Sequence, residues 1–459
     1  MILPFFTGEN KMAEKNVYRV AFNTLGCKVN QYETGKLMEK FSKKGHEVVS
    51  FTDAADIYIV NTCTVTAMAD KKSRQMLHRA KRLNPSACVV AMGCFVTAEK
   101  DKLLADESID LAISNDEKDR AFDIICEHMK INCAEEDVCL FDRHFLDPCN
   151  EHTRAYIKVQ DGCNQFCTYC KIPYVRGKLK SRDIEDVCEE VKELAAAGYK
   201  EIVVTGIHLS SYGVDKTDAL SFIELKGRIL YELLEELSKT EGIERIRLGS
   251  LEPRIVTDEF VKKLSSLEKV CPHFHLSLQS GCDATLLRMK RRYNTAEYKA
   301  AVEVLRKYYE NPAVTTDVIV GFAGETDEEY AASLKFVKDV RFFMVHVFKY
   351  SRREGTKAYD MENQVDENVK NERSSRLIAE AERLTREYAE TFIGRKERCL
   401  VEEIIEAEGR KWYVGHNERY VKLLFSAEKG NDSLINKIVE VVPEKYYKDE
   451  QLICSYFGL

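Results

Sequence analysis

Short apolar runs alternate with amphipathic stretches along the first third of the chain. Between residues 17 and 140, the predicted strands are YRVAFNTLG, EVVSF, DIYIVNT, ACVVAMG and LAISN. The predicted helices include QYETGKLMEKFSKKG and the basic stretch MADKKSRQMLHRAKRL. This rhythm predicts an N-terminal α/β domain over residues 17–140, with helices on the faces of a parallel sheet.

A second alternation occupies residues 150–393. Its predicted strands are AYIKVQ, EIVVTGI, RIRLGSL, FHLSLQ, TTDVIVG and FFMVHVFKY, and ELKGRILYELLEELSKT is one of the helices between them. Six strand–helix units without a clear seventh predict a central partial (β/α)6 barrel, with its active site at the C-terminal ends of the strands. A long polar helix is predicted over residues 366–393.

The pattern changes again over residues 394–459. This part is rich in Val, Ile, Tyr and Phe, with turn signals between short apolar runs. Such a pattern predicts a small C-terminal β-barrel. The fold class predicted for the whole chain is therefore α/β, with three domains.

Composition narrows the class of protein. The chain has 459 residues, of which 44% are hydrophobic and 32% charged, as in ordinary globular proteins. No apolar run approaches the ~20 residues that span a bilayer, and the N-terminus lacks the basic region of a signal peptide. We therefore expect a cytoplasmic protein with no membrane partner. The net charge of −7 means that any nucleic acid must contact local basic patches.

The 16 cysteines are the most informative residues, because in a reducing compartment clustered thiols bind metal or do chemistry. Cys163, Cys167 and Cys170 have the spacing C-x3-C-x2-C at the end of the first predicted barrel strand, and the aromatic Tyr169 precedes the last of them. Three thiolates can hold a [4Fe–4S] cluster by three irons, which leaves the fourth iron open. A zinc site lacking one ligand and a purely structural cluster are the alternatives.

Three other cysteines follow strands of the N-terminal sheet. Cys27, Cys63 and Cys94 come after YRVAFNTLG, DIYIVNT and ACVVAMG. Because ligands gather outside the carboxyl ends of parallel strands, these thiols either converge on one edge or remain three buried structural cysteines.

A further group of cysteines lies near the end of the N-terminal domain: Cys126, Cys133, Cys139 and Cys149. Their spacing fits no metal pattern and favours reduced thiols whose role stays open.

Several longer motifs carry a resemblance to a known family. These are TLGCKVNQYET, IVNTCTVT, MGC, GCNQFCTYCKIPYVRGKLKSR, GSLEP, SLQSGCDATLLRMKRRY, TDVIVGFAGET and FKYSRREGT. Together they resemble the methylthiotransferase family of radical S-adenosylmethionine enzymes over almost the whole chain. The form TLGCKVNQYET most resembles the branch that acts on N6-threonylcarbamoyladenosine in tRNA.

The resemblance implies the cofactors and the domain roles. Residues 17–140 would be the methylthiotransferase domain, 150–393 the radical S-adenosylmethionine core and 394–459 a TRAM RNA-binding domain. Cys163, Cys167 and Cys170 would hold one [4Fe–4S] cluster. Cys27, Cys63 and Cys94 would hold a second, auxiliary cluster that delivers sulfur.

S-adenosylmethionine would serve both as methyl donor and as radical source. The product would carry a methylthio group on carbon 2 of the modified adenosine at position 37, next to the anticodon. The implied partners are a tRNA anticodon arm, an electron donor such as flavodoxin or ferredoxin, and a sulfur source.

The resemblance and the strand-end positions also suggest contacts to S-adenosylmethionine. The residues are Tyr169, Gly206, Glu252, Gln279, Ser280, Gly321 and Gly324. The alternatives are that the glycines only form turns and that Glu252 only caps the following helix. Ala323 stands where many relatives have proline.

No residue is predicted to act as a catalytic acid or base. His273 and His275 are predicted to be satisfied core histidines.

Basic residues directly after the cluster motif are the predicted RNA contacts. They are Lys171, Arg176, Lys178, Lys180 and Arg182, and the alternative is a solvated charged surface.

Other functions remain open at the sequence level. They are methylthiolation of isopentenyladenosine in tRNA or of a ribosomal protein aspartate, and a non-catalytic iron–sulfur protein that binds RNA or senses redox state.

Overall fold

The computed structural model describes residues 17–131, 153–427, 434–448 and 450–456. These residues form two compact units. The first contains residues 17–26, 33–64 and 68–131, and the second contains residues 27–32, 65–67 and the described residues from 153 onward. Cys133, Cys139 and Cys149 lie outside the described residues. No helix in the described ranges is both long enough and apolar enough to cross a bilayer.

A five-stranded parallel sheet, in the order β2-β1-β3-β4-β5, organises the first unit. The central strands β3 and β4 are buried at every residue, because helices cover both faces of the sheet. The predicted parallel α/β domain is thus confirmed as a fold. The elements of residues 17–131 are β1 (Arg19–Thr24), α1 (Lys28–Lys43), β2 (Glu47–Val49), β3 (Ile57–Thr62), α2 (Ala67–Leu83), β4 (Cys88–Gly93), α3 (Cys94–Leu104), β5 (Leu111–Ile113) and α4 (Ala121–Met129).

Six parallel strands and one short antiparallel strand form the barrel of the second unit. They belong to two sheets, β7-β6-β8-β9 and β10-β11-β12, and a parallel bridge pairs Leu251 with Leu276. The strands are β6 (Arg154–Asp161), β7 (Lys180–Ser181), β8 (Glu201–Gly206), β9 (Arg245–Leu248), β10 (His273–His275), β11 (Ala313–Val320) and β12 (Met344–Lys349). The six predicted strand–helix units are confirmed, whereas the antiparallel strand β7 was not predicted.

Helices cover the outside of these strands, and apolar residues of both enclose the largest core. The helices are α5 (Ile172–Val175), α6 (Ile184–Ala196), α7 (Phe222–Leu225), α8 (Arg228–Ser238), α9 (Asp258–Leu264), α10 (Asp283–Arg288), α11 (Thr295–Tyr308), α12 (Asp327–Val340) and α13 (Glu367–Glu390). Helix α13 corresponds to the predicted long polar helix.

One stretch that was predicted to be a single helix forms two helices. The stretch ELKGRILYELLEELSKT is broken into α7 and α8, because Lys226 and Gly227 adopt φ values of 46° and 75°. A Cβ on Gly227 would lie 2.4 Å from Cδ2 of Phe260. The glycine therefore allows the chain to turn tightly against this ring before α8 begins.

The C-terminal residues form a closed barrel with the strand order β13-β14-β15-β17-β16. This confirms the predicted small β-barrel. Its strands are β13 (Glu397–Ala407), β14 (Arg410–His416), β15 (Lys422–Ser426), β16 (Ile438–Tyr446) and β17 (Gln451–Tyr456). Its core includes Tyr413 and Phe425, so these aromatic rings are not available for stacking on bases.

Candidate active site

The loop that carries Cys163, Cys167 and Cys170 follows β6, and Cys163 lies two residues after the end of this strand. The Cys163 N–H donates to the carbonyl oxygen of Gly177 at 3.3 Å, and the Cys170 N–H donates to that of Cys167 at 3.1 Å. Phe166 takes a left-handed conformation with φ 49°, which turns the loop back on itself. All three thiols are free, so no disulfide competes for them.

Thr168 anchors this loop to distant parts of the barrel. Its N–H donates to the carbonyl oxygen of Met289 at 3.1 Å, and its hydroxyl donates to that of Arg288 at 2.9 Å. Its own carbonyl oxygen accepts the N–H of Ala358 at 2.8 Å. No pattern in the sequence indicated this role of Thr168, because all three partners are remote in the chain.

The guanidinium of Arg291 contacts this loop. Its Nη1 donates to Sγ of Cys167 at 3.4 Å, and its Nε donates to the Tyr293 hydroxyl at 3.0 Å. Arg291 lies in the basic run RMKRR, where sequence pattern indicated RNA contact rather than contact with a cysteine.

Burial changes the acidity of two thiols in this loop. Burial raises the pKa of Cys163 to about 11 and that of Cys170 to about 12. Without a metal, Cys163 and Cys170 therefore stay protonated near neutral pH. A bound metal would hold them as thiolates, because thiolate is the form that coordinates.

Tyr169 belongs to this loop and directly precedes Cys170. Its ring meets the ring of Phe322 edge to face, with centroids 6.3 Å apart, and burial raises its pKa well above the usual value. Tyr169 packs against a small apolar cluster made of Met289, Phe322, Tyr350 and Ala358. Tyr169, which is predicted to contact S-adenosylmethionine, is thus held in place by apolar packing.

Glu252 is buried and engaged within the protein. Its carboxylate accepts from Nε of Arg254 at 2.7 Å and from the Arg254 backbone N–H at 3.1 Å, which caps the short helix Pro253–Ile255. Burial raises the pKa of this carboxyl group. The capping role considered from sequence is therefore present, and contact with S-adenosylmethionine stays a prediction.

Tight backbone turns account for most of the other predicted cofactor residues. Gln279 has φ 70° and Gly321 has φ 69°, and the Gly321 N–H donates to Oε1 of Glu325 at 2.8 Å. A Cβ on Gly321 would lie 2.3 Å from Cγ of Lys370, and one on Gly206 would lie 2.8 Å from Oε1 of Gln160. Gly321 is therefore favoured by its backbone conformation and by close packing, and Gly206 by close packing alone.

Two further predicted residues lie close to these turns. Ser280 is buried, and its hydroxyl accepts the N–H of Cys282 at 3.3 Å. Gly324 has φ 74°, and its N–H donates to the carbonyl oxygen of Asn363 at 2.8 Å. Both therefore have roles within the fold.

The second cysteine trio follows neighbouring strands of the N-terminal sheet. Thr62, the last residue of β3, pairs with Gly93, the last residue of β4. Cys63 directly follows Thr62, and Cys94 directly follows Gly93, so the two cysteines come at the same edge of the sheet. Strand β1, which pairs with β3, ends three residues before Cys27. Cys27, Cys63 and Cys94 are not disulfide-bonded, and Nδ2 of Asn115 lies 3.5 Å from Sγ of Cys94.

Cys126 departs from the prediction of reduced thiols. It lies buried in α4 and is disulfide-bonded. The prediction is therefore wrong for this cysteine, because spacing alone does not show which thiols come within bonding distance.

Gly93 controls the position of Cys94. It has φ 104° and ψ −157°, a conformation open only to glycine, and a Cβ would lie 2.6 Å from Oδ1 of Asn61 and 2.9 Å from the Thr62 carbonyl oxygen. We expect Gly93→Ala to cost about 1–3 kcal/mol of folding free energy and to shift Cys94. Thermal unfolding and iron content after anaerobic reconstitution measure the two effects.

Gly35→Ala is the matched control. Gly35 lies within α1, and nothing stands within 4 Å of a Cβ added there. This replacement should leave the iron content unchanged and stabilise the helix by up to about 1 kcal/mol. Equal iron content in the two variants would contradict the role given to Gly93.

The predicted RNA contacts differ in their exposure and in their partners within the chain. Nη1 of Arg176 lies 2.9 and 3.0 Å from the two carboxylate oxygens of Asp161, and the Arg176 side chain is 1% exposed. Arg182 donates to Glu190 at 2.6 Å. Lys178 and Lys180 are exposed, and Lys171 is half-buried. The two arginines thus hold the segment, while Lys178 and Lys180 face solvent.

Two exposed aromatic rings border the same segment. Phe166 is 42% exposed and Tyr174 is 55% exposed, and their ring centroids lie 5.7 Å apart at an angle of 77°. Exposed rings beside cations are typical of surfaces that bind single-stranded RNA. The sequence analysis missed this pair, although both residues stand in the quoted motif.

Comparisons with known proteins match this architecture. Residues 19–114 match the model described as "Uncharacterized protein family UPF0004", and residues 157–337 match the Radical SAM superfamily. A threonylcarbamoyladenosine tRNA methylthiotransferase MtaB of Bacillus subtilis is 40% identical over 92% of this chain and 93% of its own length. The chain belongs to the methylthiotransferase family of radical S-adenosylmethionine enzymes.

Other methylthiotransferases are similar over comparable lengths. MtaB of Aquifex aeolicus is 42% identical over 83% of this chain and 92% of its own. A tRNA-2-methylthio-N(6)-dimethylallyladenosine synthase of Acetivibrio thermocellus is 33% identical over 94% of this chain and 89% of its own.

A solved structure supports the fold. The radical S-adenosylmethionine methyltransferase TsrM of Kitasatospora setae has a TM-score of 0.52 and 14% identity, over 73% of each chain.

Membership of the methylthiotransferase family establishes the class of chemistry. The chain is an enzyme that transfers a methylthio group and uses S-adenosylmethionine and [4Fe–4S] clusters. The predicted cofactors are thereby confirmed at the level of the family. Which cysteines hold each cluster stays a prediction for this chain.

Proposed function

We propose that this enzyme adds a methylthio group to carbon 2 of N6-threonylcarbamoyladenosine at position 37 of tRNA. The observation that carries the proposal is the similarity to MtaB enzymes of four organisms, at 35% to 42% identity. Enzymes named for dimethylallyladenosine are 32% to 33% identical. The first substrate is therefore the better supported of the two.

In this proposal the two cysteine trios have separate tasks. Cys163, Cys167 and Cys170 would hold the cluster that binds S-adenosylmethionine, and Cys27, Cys63 and Cys94 would hold the auxiliary cluster at which sulfur is delivered. When bound, these cofactors supply the one-electron chemistry that activates a carbon–hydrogen bond.

The residues of the chain position and protect these groups. Thr168 fixes the cysteine loop through its three hydrogen bonds. The guanidinium of Arg291 lies where it offsets the negative charge of the thiolates. The apolar cluster behind Tyr169 excludes water from this side of the loop.

The remaining predicted cofactor residues line strand ends. Gly206, Gln279, Gly321 and Gly324 would bring backbone close to S-adenosylmethionine, and Glu252 and Ser280 would supply polar groups. No acid–base pair is assigned, because hydrogen-atom abstraction from carbon does not need one.

For tRNA contact, we assign Lys178 and Lys180 to phosphates and the Phe166–Tyr174 pair to unstacked bases of the anticodon arm. Arg176 and Arg182 would support this surface from within, since both are paired with carboxylates. Lys171 stays a predicted contact. Residues 394–459 would act as a TRAM RNA-binding domain, residues 150–393 as the radical S-adenosylmethionine core and residues 17–140 as the methylthiotransferase domain.

The wider setting follows from the chemistry. Reduction of the clusters needs an electron donor such as flavodoxin or ferredoxin, and each turnover needs a sulfur source. A tRNA substrate places the enzyme in the cytoplasm.

Nucleoside mass spectrometry of tRNA tests the substrate. In a strain lacking the gene, we expect the methylthio form of threonylcarbamoyladenosine to disappear, while methylthio-isopentenyladenosine stays at its normal level. Re-expression of the intact chain should restore the first nucleoside. Loss of the isopentenyl form instead would overturn the proposed substrate, and loss of neither would favour a non-catalytic iron–sulfur protein.

A further inference from the structure

Three side chains outside the cysteine trios form a compact group of metal-ligand atoms on the barrel sheet. They are His275 on β10, Asp317 on β11 and His346 on β12, and one ligand atom of each lies within 4.8 Å of the others. We call this group the His–Asp–His trio. The sequence analysis expected His275 to be a satisfied core histidine, and nothing suggested its partners.

The register of three adjacent strands brings the trio together. Asp317 pairs directly with His346, and His275 pairs with Thr315, two residues before Asp317. Because side chains alternate along a strand, Thr315 and Asp317 lie on the same face of the sheet. The opposite face carries Phe274, Val318 and Val345 in the hydrophobic core.

One distance within the trio matches the spacing of two ligands of one ion. Nε2 of His275 lies 3.4 Å from Oδ2 of Asp317, beyond the usual hydrogen-bond range. Two ligand atoms at about 2.1 Å from a tetrahedral ion lie about 3.4 Å apart. The two atoms are thus already spaced as ligands of one ion.

A hydrogen bond on the other side of the His275 ring supports this reading. Nδ1 of His275 lies 3.0 Å from the Thr315 hydroxyl. With Nδ1–H as the donor, the lone pair of Nε2 points toward Asp317. Metal-binding histidines are commonly oriented in this way by a second polar group.

The trio is open to small ions. The side chains of His275 and Asp317 are 15% and 31% exposed, and His346 is exposed. Ile319, two residues along the same face of β11, packs on the apolar cluster that also receives Tyr169. An ion held here would therefore lie on the same face of β11 as the residues that border the cysteine loop.

We propose that the His–Asp–His trio binds one divalent transition-metal ion in addition to the iron–sulfur clusters. Two imidazoles and one carboxylate form a ligand set of borderline softness, which suits zinc or iron(II) and disfavours calcium and magnesium. Water would complete the coordination.

Zinc binding by the cluster-loaded protein tests the proposal without tRNA, so the result does not depend on the proposed substrate. The chain is reconstituted anaerobically with iron and sulfide, so that cysteines are occupied. A mild chelator then removes iron that is not held in the clusters, the protein is dialysed against buffered Zn2+, and zinc and iron are counted per chain. We expect one zinc per intact chain, with X-ray absorption showing nitrogen and oxygen ligands at about 2.0–2.2 Å.

Single replacements locate the ion. His346→Ala and Asp317→Asn should each weaken zinc binding at least about tenfold at unchanged iron content. His128→Ala is the control, because His128 is an exposed histidine of α4 outside the trio.

Three results would overturn the proposal. They are no zinc in the intact chain, equal affinity in His346→Ala, and zinc–sulfur distances of about 2.3 Å, which indicate binding to cysteine. His346 is exposed, so its loss should leave folding intact, and an unchanged melting temperature verifies this.

Discussion

Replacing Cys94 by alanine should abolish sulfur insertion while leaving cleavage of S-adenosylmethionine intact. Cys94 follows β4 directly and would be one of three ligands of the auxiliary cluster. A trio with one thiol missing holds its cluster poorly, so iron should fall from about eight to about four atoms per chain. Formation of 5′-deoxyadenosine under dithionite should continue, and methylthiolated tRNA should drop by more than about 100-fold.

Replacing Cys170 by alanine should have a different signature. The iron content should again fall to about four, but now 5′-deoxyadenosine and methylthiolated tRNA should both disappear. The two variants together separate the tasks of the two trios. Their iron counts alone would not do so, because each variant loses one cluster.

Buried or half-buried cysteines outside the trios provide matched controls. Cys88 begins the strand that Cys94 follows, and Cys188 lies in α6 of the barrel. Cys88→Ala and Cys188→Ala should retain about eight irons and both activities. If Cys94→Ala still inserts sulfur at the rate of the intact chain, the assignment of Cys63 and Cys94 to a sulfur-delivering cluster is wrong.

Local pattern predicted the positions of the strand-end cysteines well. Strands β3 and β4 are buried and pair in parallel as predicted, so Cys63 and Cys94 follow the same edge of the sheet. The pattern did not predict the break at Gly227. An isolated glycine is tolerated inside many helices, and its contact here is with Phe260, which comes 33 residues later in the chain.

Long-range pairing explains what the sequence did not reveal about the site. Arg291 lies 124 residues from Cys167, and nothing in RMKRR distinguishes the arginine that meets sulfur from its neighbours. Arg176 was interpreted as an RNA contact because it stands in a basic run, yet its guanidinium pairs with Asp161. Similarly, the His–Asp–His trio depends on the register of three strands, which the alternation of apolar residues does not fix.

A second large effect is expected at the base of the barrel, where Glu201→Gln should strongly destabilise the protein. Glu201 is fully buried among three arginines that are themselves 1% to 2% exposed: Arg154, Arg245 and Arg247. Its carboxylate accepts from Nε of Arg154 at 2.7 Å and from Nε of Arg247 at 2.8 Å. We call these four residues the arginine cluster.

The arginine cluster also joins the barrel base to the C-terminal β-barrel. Arg245 donates to the carbonyl oxygens of His416 at 2.9 Å and Arg398 at 2.7 Å, and Arg154 donates to Glu402 at 2.7 Å. Burial alone would raise the pKa of Glu201, but the arginines hold it well below its usual value. Glu201 is therefore ionised at neutral pH and is a principal counter-charge for these arginines.

Removing this charge leaves buried guanidinium groups without adequate compensation. Loss of one partner from a buried ion pair typically costs about 3–5 kcal/mol, and we expect a loss in this range for Glu201→Gln. Glu402→Gln should cost less, because Arg154 would still be paired with Glu201.

Trp412 is the single tryptophan of the chain and lies in β14 of the C-terminal barrel, so its fluorescence reports on the element that the arginine cluster holds. The urea concentration at the midpoint of the Trp412 fluorescence transition should be clearly lower in Glu201→Gln than in the intact chain. Glu403→Gln is the control, because Glu403 is an exposed residue of β13. This replacement should change the free energy of unfolding by less than about 0.5 kcal/mol, so its midpoint should shift only slightly. Because the arginines donate to backbone carbonyls of this barrel, the fluorescence change should occur at or before the loss of helical circular dichroism. A tryptophan transition at the same urea concentration as in the intact chain would mean that Arg154, Arg245 and Arg247 are adequately compensated without Glu201.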